Sequence, residues 1–191
     1  MGNLLNDVMD AQEALLTRRT IHTYRPGPLP DGALDDAITA AHHAPNHKFT
    51  TPWRFTIVGD ATRKLLVPVG IRAKAERKPL RDGQEDAIRK KLLQASGLVV
   101  VSRVRCTDPT TAREDYAACA CAIQNMMLSL HSRGLASKWT TGGVTRHPKA
   151  YDVLGIDGAN EEVIGWVWVG WAERASPAVR PPIEDVVRRL P

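Results

Sequence analysis

The segment Ala44-Pro45-Asn46-His47-Lys48-Phe49-Thr50-Thr51-Pro52-Trp53-Arg54-Phe55 joins a helical stretch to the apolar run Phe55-Thr56-Ile57-Val58, and two prolines interrupt it. Proline neither continues a helix nor fits a central strand, so the sequence predicts a loop held between two rigid elements. Such loops carry many binding and catalytic side chains. His47, Lys48 and Trp53 make this loop a candidate site. An ordinary helix-to-strand connection with Trp53 in the core is the alternative.

The hydrophobic pattern on both sides of this loop predicts helices alternating with short strands, which is an α+β fold. Helices are predicted over Asp7–Arg18, from an Asp31 N-cap to about His43, and over Ala61–Lys78, Asp82–Ala95, Tyr116–Leu130 and Pro148–Leu154. Strands are predicted over Ile21–Tyr24, Arg54–Val58, Gly97–Val101 and Val163–Trp171, with a further strand and a glycine turn inside Gly134–Gly143.

Two of these elements have a predicted place in the core. Tyr116–Leu130 is apolar nearly all round, as a central buried helix is. Gly97–Val101 is a continuous apolar run, which is typical of a strand buried on both faces. Pro68 and Gly70 are expected to kink or split the helix in which they lie.

Length and composition predict a single domain over residues 1–191. The chain has 191 residues, of which 43% are hydrophobic and 25% charged, as in globular proteins with one well-filled core. Residues 172–191 form a Pro- and Arg-rich C-terminal extension. Its apolar residues predict that it packs against the protein's own surface or a partner subunit; they are Val179, Ile183, Val186 and Val187.

The charge pattern favours an anionic small-molecule ligand over nucleic acid. The net charge is +5, from 26 Lys and Arg against 21 Asp and Glu, and the two signs are interleaved along the chain. A basic nucleic-acid-binding module that uses Arg and Trp side chains is the alternative of another class. It would be colourless and would bind DNA or RNA in a salt-dependent way.

Cysteine usage and the N-terminal residues predict a cytoplasmic protein. Cys106, Cys119 and Cys121 are an odd number, which indicates reduced thiols, and their most economical interpretation is as small buried hydrophobic side chains. The first residues lack the basic start and apolar run of a signal peptide. The longest uncharged apolar runs, Ala117–Leu130 and Val163–Ala172, are too short to span a bilayer, so no membrane partner is expected.

Several short motifs, taken in order, resemble those of one family. Arg18-Arg19-Thr20 after an N-terminal helix resembles the Arg-Arg-Ser opening of the nitroreductase family of flavoproteins. Ala44–Lys48 followed by Pro52–Phe55 is similar to the Ala-Pro-(Asp/Asn)-His-Lys and Gln-Pro-Trp-(His/Arg)-Phe signature of its short, single-domain bacterial members. Trp139-Thr140-Thr141-Gly142 resembles their Trp-Arg-(Ser/Thr)-Gly turn. Gly165–Gly170 resembles their last core strand, and Arg180-Pro181-Pro182 their basic tail.

The resemblance implies a homodimer with FMN at the subunit interface, a mixed or antiparallel sheet flanked by helices, and reduction by NADH or NADPH. It also implies the residues that bind the cofactor. Arg18, Arg19 and Thr20 would contact the FMN phosphate and ribityl chain. His43 and His47, in the segment with Pro45 and Lys48, would face the flavin of the partner subunit. Trp139, Thr140, Thr141 and Gly142 would close the site from the strand turn.

The chemistry of these side chains is consistent with an anionic cofactor. A phosphate carries close to two negative charges, and an Arg guanidinium meets it with paired, charge-assisted hydrogen bonds. The alternative for Arg18 and Arg19 is a favourable interaction with a helix C-terminus, which contributes about 0.3–1 kcal/mol. A cation about 4 Å from the flavin pyrimidine ring would favour the reduced state by roughly 4 kcal/mol, or on the order of 90 mV. Lys48 or a protonated His47 are candidates for that cation, although His47 could instead hydrogen-bond the ring while neutral.

Three positions depart from the family pattern. Thr51 stands where Gln usually precedes Pro-Trp, His43 where Arg is frequent, and Thr140 where Arg is usual. We therefore expect Arg180 in the tail to restore the positive charge that Thr140 does not supply.

The predicted activity is transfer of electrons from NAD(P)H, by a ping-pong mechanism, to nitro compounds, quinones or related electron-poor small molecules. The redox chemistry belongs to the flavin, so no side chain is assigned as a catalytic acid or base, and no metal site is predicted. The alternative within this fold is a non-catalytic flavin-binding or flavin-storage protein, which would be yellow but would not bleach with NAD(P)H.

Overall fold

The computed structural model describes residues 9–174, 177 and 179–191. Its helices are α1 (Ala11–Thr17), α2 (Ala33–His42), α3 (Asp60–Ala75), α4 (Gln84–Leu93), α5 (Pro109–Ser132) and α6 (Pro148–Leu154). Its strands are β1 (Tyr24–Arg25), β2 (Trp53–Ile57), β3 (Gly97–Val104), β4 (Ala136–Thr140) and β5 (Glu161–Ala172). This is an α+β domain, as predicted.

The five strands form one antiparallel sheet, and β5 is its central member. Residues 166–169 of β5 pair with β3 along one edge and with β4 along the other, while β2 pairs with the far side of β3. The order β2–β3–β5–β4 therefore places β2 and β4 three strand spacings apart, roughly 14 Å. A parallel bridge between Thr20 and Ser137 attaches the segment after α1 to β4.

Helices cover both faces of this sheet and form two core clusters. On one face α2 and α5 pack against Trp53, Val99, Val101 and Val167. On the other face α3, α4 and α6 pack against Leu98, Val100, Trp166 and Trp168. The predicted central helix and the predicted doubly buried strand are both confirmed, because α5 buries Ile123 and Met126 completely and β3 buries every residue from Gly97 to Ser102.

Several boundaries differ from those predicted, for local reasons. Gly32, not Asp31, precedes α2, because the chain enters that helix with a φ of 73°, which glycine adopts without steric cost. Helix α3 is not split at Pro68. Pro68 is exposed, so water can satisfy the carbonyl group that loses its helical partner. Gly70 is needed there for packing, since a Cβ would lie 2.9 Å from Leu92 Cδ1 of α4.

Three further predictions were only partly correct. The strand predicted over Ile21–Tyr24 is reduced to the two residues of β1. Helix α5 begins at Pro109 rather than at Tyr116, because Asp108 caps it by accepting a 2.7 Å hydrogen bond from the backbone N–H of Thr111. The start of the predicted helix Asp7–Arg18 lies outside the described residues. Of the three cysteines only Cys119 is buried.

The C-terminal extension does not pack its apolar residues against the described part of its own chain. Val179 is 94% exposed and Val186 is 72% exposed, and Ile183 and Leu190 are exposed as well. Of the two predicted positions for the tail, its own surface is therefore disfavoured. Packing on a partner subunit stays a prediction.

Gly165 of β5 leaves room for the Trp139 indole, which crosses the strand at that point. A Cβ on Gly165 would overlap the indole nitrogen. We expect Gly165→Ala to lower the free energy of unfolding by about 1–3 kcal/mol, the usual cost of overpacking a core. Urea titration followed by circular dichroism measures this loss.

Gly59→Ala is the matched control for that substitution. Gly59 has an ordinary φ of −72°, and a Cβ at this position would meet no atom within 4 Å. Because Gly59 is the N-cap of α3 and alanine caps less well than glycine, its replacement should lower stability by about 0.5 kcal/mol. Equal stabilities for the two variants would contradict the close approach of Trp139 to β5.

Candidate functional site

Arg18 and Arg19 lie where α1 ends and the chain crosses to β4. Arg18 is the C-cap of α1, and its backbone N–H donates to the carbonyl of Ala14 at 3.1 Å. The Arg19 guanidinium donates to the carbonyl oxygens of Leu16 and Arg18 at 2.6 and 2.9 Å. Arg19 thus caps the C-terminal carbonyl groups of α1, which is the alternative role considered above for Arg18 and Arg19. The Arg18 side chain does not take part in this capping.

Arg18 reaches a cavity of about 190 Å³ between α1, the end of α5 and β4. Its Nη1 atom is buried and has no hydrogen-bond partner among the described residues, and the same holds for Ser137 Oγ at the wall of this cavity. A buried polar group without a partner is costly. Two of them around one cavity therefore indicate a place for a polar ligand.

The charges around Arg18 are of one sign. Burial lowers the pKa of Arg18, and the positive charges of Arg180 and then Arg19 lower that pKa further. No ion pair within the described ranges involves any of these three residues. The structure therefore brings Arg180 of the tail into electrostatic range of Arg18, and three guanidinium groups share one region.

His131 extends this cluster from α5. Its Nε2 atom lies 2.8 Å from the hydroxyl of Thr17. Its pKa is lowered chiefly by burial and then by the charges of Arg18 and Arg19, while Glu13 opposes the shift. The two arginines thus make the local field positive. Such a field suits a doubly charged anion such as a phosphate.

The second group of predicted residues lies at the other end of β4. Trp139 packs over Gly165, and its indole N–H is buried without a partner in the described part of the chain. The Thr140 hydroxyl accepts a 3.0 Å hydrogen bond from Trp168 Nε1 and donates to the Trp166 carbonyl at 3.2 Å. Thr140 is therefore a structural hydroxyl whose hydrogen bonds are already made. Thr141 and Gly142 follow it, exposed, at the turn.

A cavity of about 230 Å³ opens beside this turn, between β4 and helices α3 and α4. Trp166 and Trp168 form an apolar floor. The basic side chains around it are Lys74, Arg77 and Lys91. Arg77 lies over Gly143, with Nη1 3.4 Å from the position that a Cβ would take there. The combination of aromatic floor, backbone of a glycine turn and basic rim suits a planar ligand that carries negative charge.

Two basic residues that sequence reasoning missed lie between these two ends. The Lys138 ammonium, midway along β4, donates to Nδ1 of His22 at 2.9 Å, which places the proton of a neutral His22 on Nε2. Lys138 lowers the pKa of His22 more than burial or Lys91 does. Burial and Lys91 lower the pKa of Lys138. His22 lies two residues after Thr20 in a stretch with an alternating pattern. That spacing was the sequence feature that could have identified His22 as a further site residue.

The loop that contains His43, Pro45, His47 and Lys48 lies away from both cavities. His43 is the C-cap of α2, and the other three precede β2, at the sheet edge opposite β4. All four are exposed. It is the neighbouring His42 that is anchored, since its Nδ1 atom accepts a 3.0 Å hydrogen bond from Trp53 Nε1. One copy of the chain therefore places Arg18 and Arg19 at one cavity, with Arg180 in electrostatic range, and Thr140 and Gly142 at the other, but it brings the loop residues to neither.

Comparison with known proteins assigns the family. The model of the nitroreductase family matches residues 15–171. The chain is 25% identical over 178 residues to YfhC of Bacillus subtilis (strain 168), which is named for an inferred NAD(P)H nitroreductase activity, and the match covers 91% of each chain. The chain belongs to the nitroreductase family.

Solved structures show the same fold. A nitroreductase-like family protein from Bacillus cereus superposes with a TM-score of 0.79 at 23% identity, covering 94% of this chain and 95% of that one. The FMN-dependent nitroreductase NfnB from Mycobacterium smegmatis, solved in complex with NADPH, superposes with a TM-score of 0.76 at 18% identity, covering 95% and 98%. The resemblance found in the sequence motifs and the predicted fold class are both confirmed. Within the described ranges, none of the helices has the length and apolar character needed to cross a membrane.

The contact between Lys138 and His22 predicts a measurable pKa change. Lys138→Met should raise the pKa of His22 toward the ordinary value near 6.5, because the largest cause of its depression is removed. Since a lowered folded-state pKa penalises protonation of the folded chain, stability should fall as pH drops below about 6.5, and less steeply in the variant. NMR titration of the His22 ring measures the pKa.

Lys90→Met is the control for this titration. Lys90 lies beside Lys91 on α4 but is not among the groups that shift His22. A His22 pKa that is the same in Lys138→Met and the unmodified protein would rule out the contact.

Proposed function

We propose that this protein transfers electrons from NADH or NADPH, through FMN held at the interface of a homodimer, to nitroaromatic compounds, quinones or related electron-poor small molecules. Membership of the nitroreductase family supports the general part of this proposal, namely that the chain is an FMN-dependent NAD(P)H oxidoreductase. The acceptor class, the two-step mechanism, the residues and the homodimer are our proposal.

The unpartnered guanidinium atom of Arg18 is the main observation that supports a phosphate at this end of the site. A phosphate in this cavity would accept hydrogen bonds from the buried Nη1 atom of Arg18 and from the Ser137 hydroxyl, which both lack partners among the described residues. It would also neutralise the nearby charges of Arg19 and Arg180. Phosphate oxygens accept such hydrogen bonds strongly. Thr20, which is bridged to Ser137, would meet the ribityl chain.

The course of β4 supports a cofactor that extends from the cavity beside Arg18 to the cavity beside Gly142. The three residue-to-residue steps of the strand from Ser137 to Thr140 cover roughly 10 Å. The ring would then reach the cavity floored by Trp166 and Trp168, which Thr140 and Gly142 line. Thr141 adjoins this lining in the chain, whereas Trp139 packs against the core cluster on the other face of the sheet. Because the Thr140 hydroxyl is already hydrogen-bonded on both sides, Thr140 would contribute through its backbone.

The order of strands supports the homodimer. His43, Pro45, His47 and Lys48 lie at the β2 edge, about 14 Å across the sheet from β4, so they cannot complete the same cavity from within one chain. A second copy can bring its β2 edge to the first copy's β4 edge. The exposed apolar residues of the tail supply further surface for that contact.

The geometry adds Lys138 to the candidates for the cation at the flavin pyrimidine ring. Lys138 lies between the phosphate cavity and the ring cavity of the same subunit, with His22 accepting its hydrogen bond. Lys48 or His47 would have to act from the partner. A cation at this position favours extra negative charge on the ring and so raises the reduction potential.

Bound FMN supplies the redox chemistry, accepting two electrons from the nicotinamide in one half-reaction and passing them to the acceptor in the next. The side chains of the two cavities bind and orient it and set the local charge. No acid or base from the protein is required by this scheme. A ping-pong mechanism requires that the reductant and then the acceptor occupy the same site in turn.

The decisive experiment is a visible absorption spectrum of the purified protein, before and after anaerobic addition of NADH or NADPH. We expect the absorption bands of oxidised flavin and their loss on reduction, because the bound cofactor takes up the electrons. Bands that persist would favour the flavin-storage alternative. Protein that lacks the bands and does not take up added FMN would refute the proposal.

The role of Arg180 is tested by its replacement. Arg180→Ala should weaken FMN binding about tenfold or more, because one charge-assisted hydrogen bond to the phosphate contributes roughly 1.5–3 kcal/mol. Fluorescence titration of apoprotein with FMN measures the dissociation constant. Arg189→Ala, from the same exposed tail, should leave it unchanged. Equal affinity of the Arg180 variant and the unmodified protein would remove Arg180 from the site.

A further inference from the structure

The loop between α2 and β2 has a backbone that its sequence does not favour. Lys48, Phe49 and Thr51 have φ values of 54°, 53° and 45°, which are left-handed values that side chains other than glycine seldom adopt. Strained residues of this kind persist only where the surroundings enforce them, and they concentrate at functional sites. The loop therefore needs a restraint from outside itself.

A buried carboxylate provides that restraint. Asp115 of α5 is only 5% exposed, and its Oδ1 atom accepts a 2.7 Å hydrogen bond from the Thr50 hydroxyl. The same hydroxyl accepts a 3.4 Å hydrogen bond from the side-chain amide of Asn46. Cys106 donates weakly to the other carboxylate oxygen at 3.9 Å. Thr50 is thus the point at which the strained loop is tied to the longest helix of the domain.

The restrained loop presents an aromatic ring to its surroundings. Phe49 is 92% exposed, and His47 and Lys48 beside it are exposed too. The restraint comes from α5 of the same chain, so the loop is formed before any second copy arrives.

We infer that Phe49 is a specificity-determining residue that stacks on planar, electron-poor aromatic acceptors, and that Asp115 is a positioning residue that holds it through Thr50. This inference rests on the proposed function, in which the loop faces the partner's flavin. The electron-rich face of Phe49 complements an electron-poor ring, and the adjacent Lys48 complements the negative oxygens of a nitro group or carboxylate.

The first test compares two acceptors with the FMN-loaded enzyme. Phe49→Ala should raise KM for a nitrobenzoate about three- to tenfold, the effect expected from one lost aromatic stack. It should leave KM for ferricyanide, which has no ring to stack, and the FMN content unchanged. Phe49→Tyr should restore the KM for nitrobenzoate. An unchanged nitrobenzoate KM in Phe49→Ala overturns the inference, as does an equal rise for both acceptors.

The second test measures binding without turnover. 4-Cyanobenzoate is an electron-poor ring that lacks a nitro group, and its binding to the oxidised enzyme can be followed through the flavin absorbance. Phe49→Ala should raise its dissociation constant about three- to tenfold. If that constant stays the same while sedimentation shows the dimer dissociating, Phe49 packs against the second copy instead and the inference is wrong.

The positioning role has its own matched pair of variants. Thr50→Val removes the hydroxyl but keeps the shape, whereas Thr50→Ser keeps the hydroxyl. We expect Thr50→Val to raise the nitrobenzoate KM and to speed hydrogen exchange of the loop amides, and Thr50→Ser to restore both. Thr50→Val with an unchanged KM and exchange rate overturns the role of Asp115. Bleaching of the flavin bands of the unmodified enzyme by anaerobic NADH or NADPH tests the proposed function separately: bands that persist refute both proposals, whereas bleaching together with an unchanged nitrobenzoate KM in Phe49→Ala refutes only this one.

Discussion

The pairing of β5 on both edges is the constraint on which the rest of this structure depends. Because β3 and β4 pair with the same residues of β5, they must lie on opposite sides of it, and β2 is displaced one strand further. The basic residues at the end of α1 lie beside β4, and the loop after α2 leads into β2. The two parts of the candidate site are therefore separated within one chain by the sheet itself. A second copy is the economical way to bring them together.

The electrostatics of the β4 edge complement this constraint. A folded domain normally pairs its buried charges, because an unpaired one is expensive. Here Arg18 is partly buried among Arg19 and Arg180, and Lys138 donates to a histidine rather than to an acid. The repulsion among these positive groups disfavours further positive charge at this edge. Its natural relief is a ligand with negative charge at one end and polarisable rings at the other, which is the character of a flavin nucleotide.

Sequence reasoning predicted the elements whose hydrophobic pattern is long and regular. The buried strand β3 and the buried part of α5 were found because their burial leaves a long run of apolar residues, and α6 was found because Pro148 opens it and Gly155 follows it. It was less successful where tertiary contacts override local preference. Pro68 is tolerated inside α3 because its missing hydrogen bond faces water, and β1 shrinks to two residues because only these pair with β5. Neither fact is encoded within a window of neighbouring residues.

The candidate site shows the same division. Arg18 and Trp139 were found through short motifs, whereas His22 and Lys138 were missed, because two basic residues far apart in sequence give no sign that they will meet across a strand. The strain around Phe49 was also invisible, since Lys, Phe and Thr carry no preference for left-handed backbone. Natural chains break their local rules chiefly where function requires it. A loop that breaks them at three of four positions, and is tied by a buried acid to the central helix, is for that reason a stronger sign of function than any motif it contains.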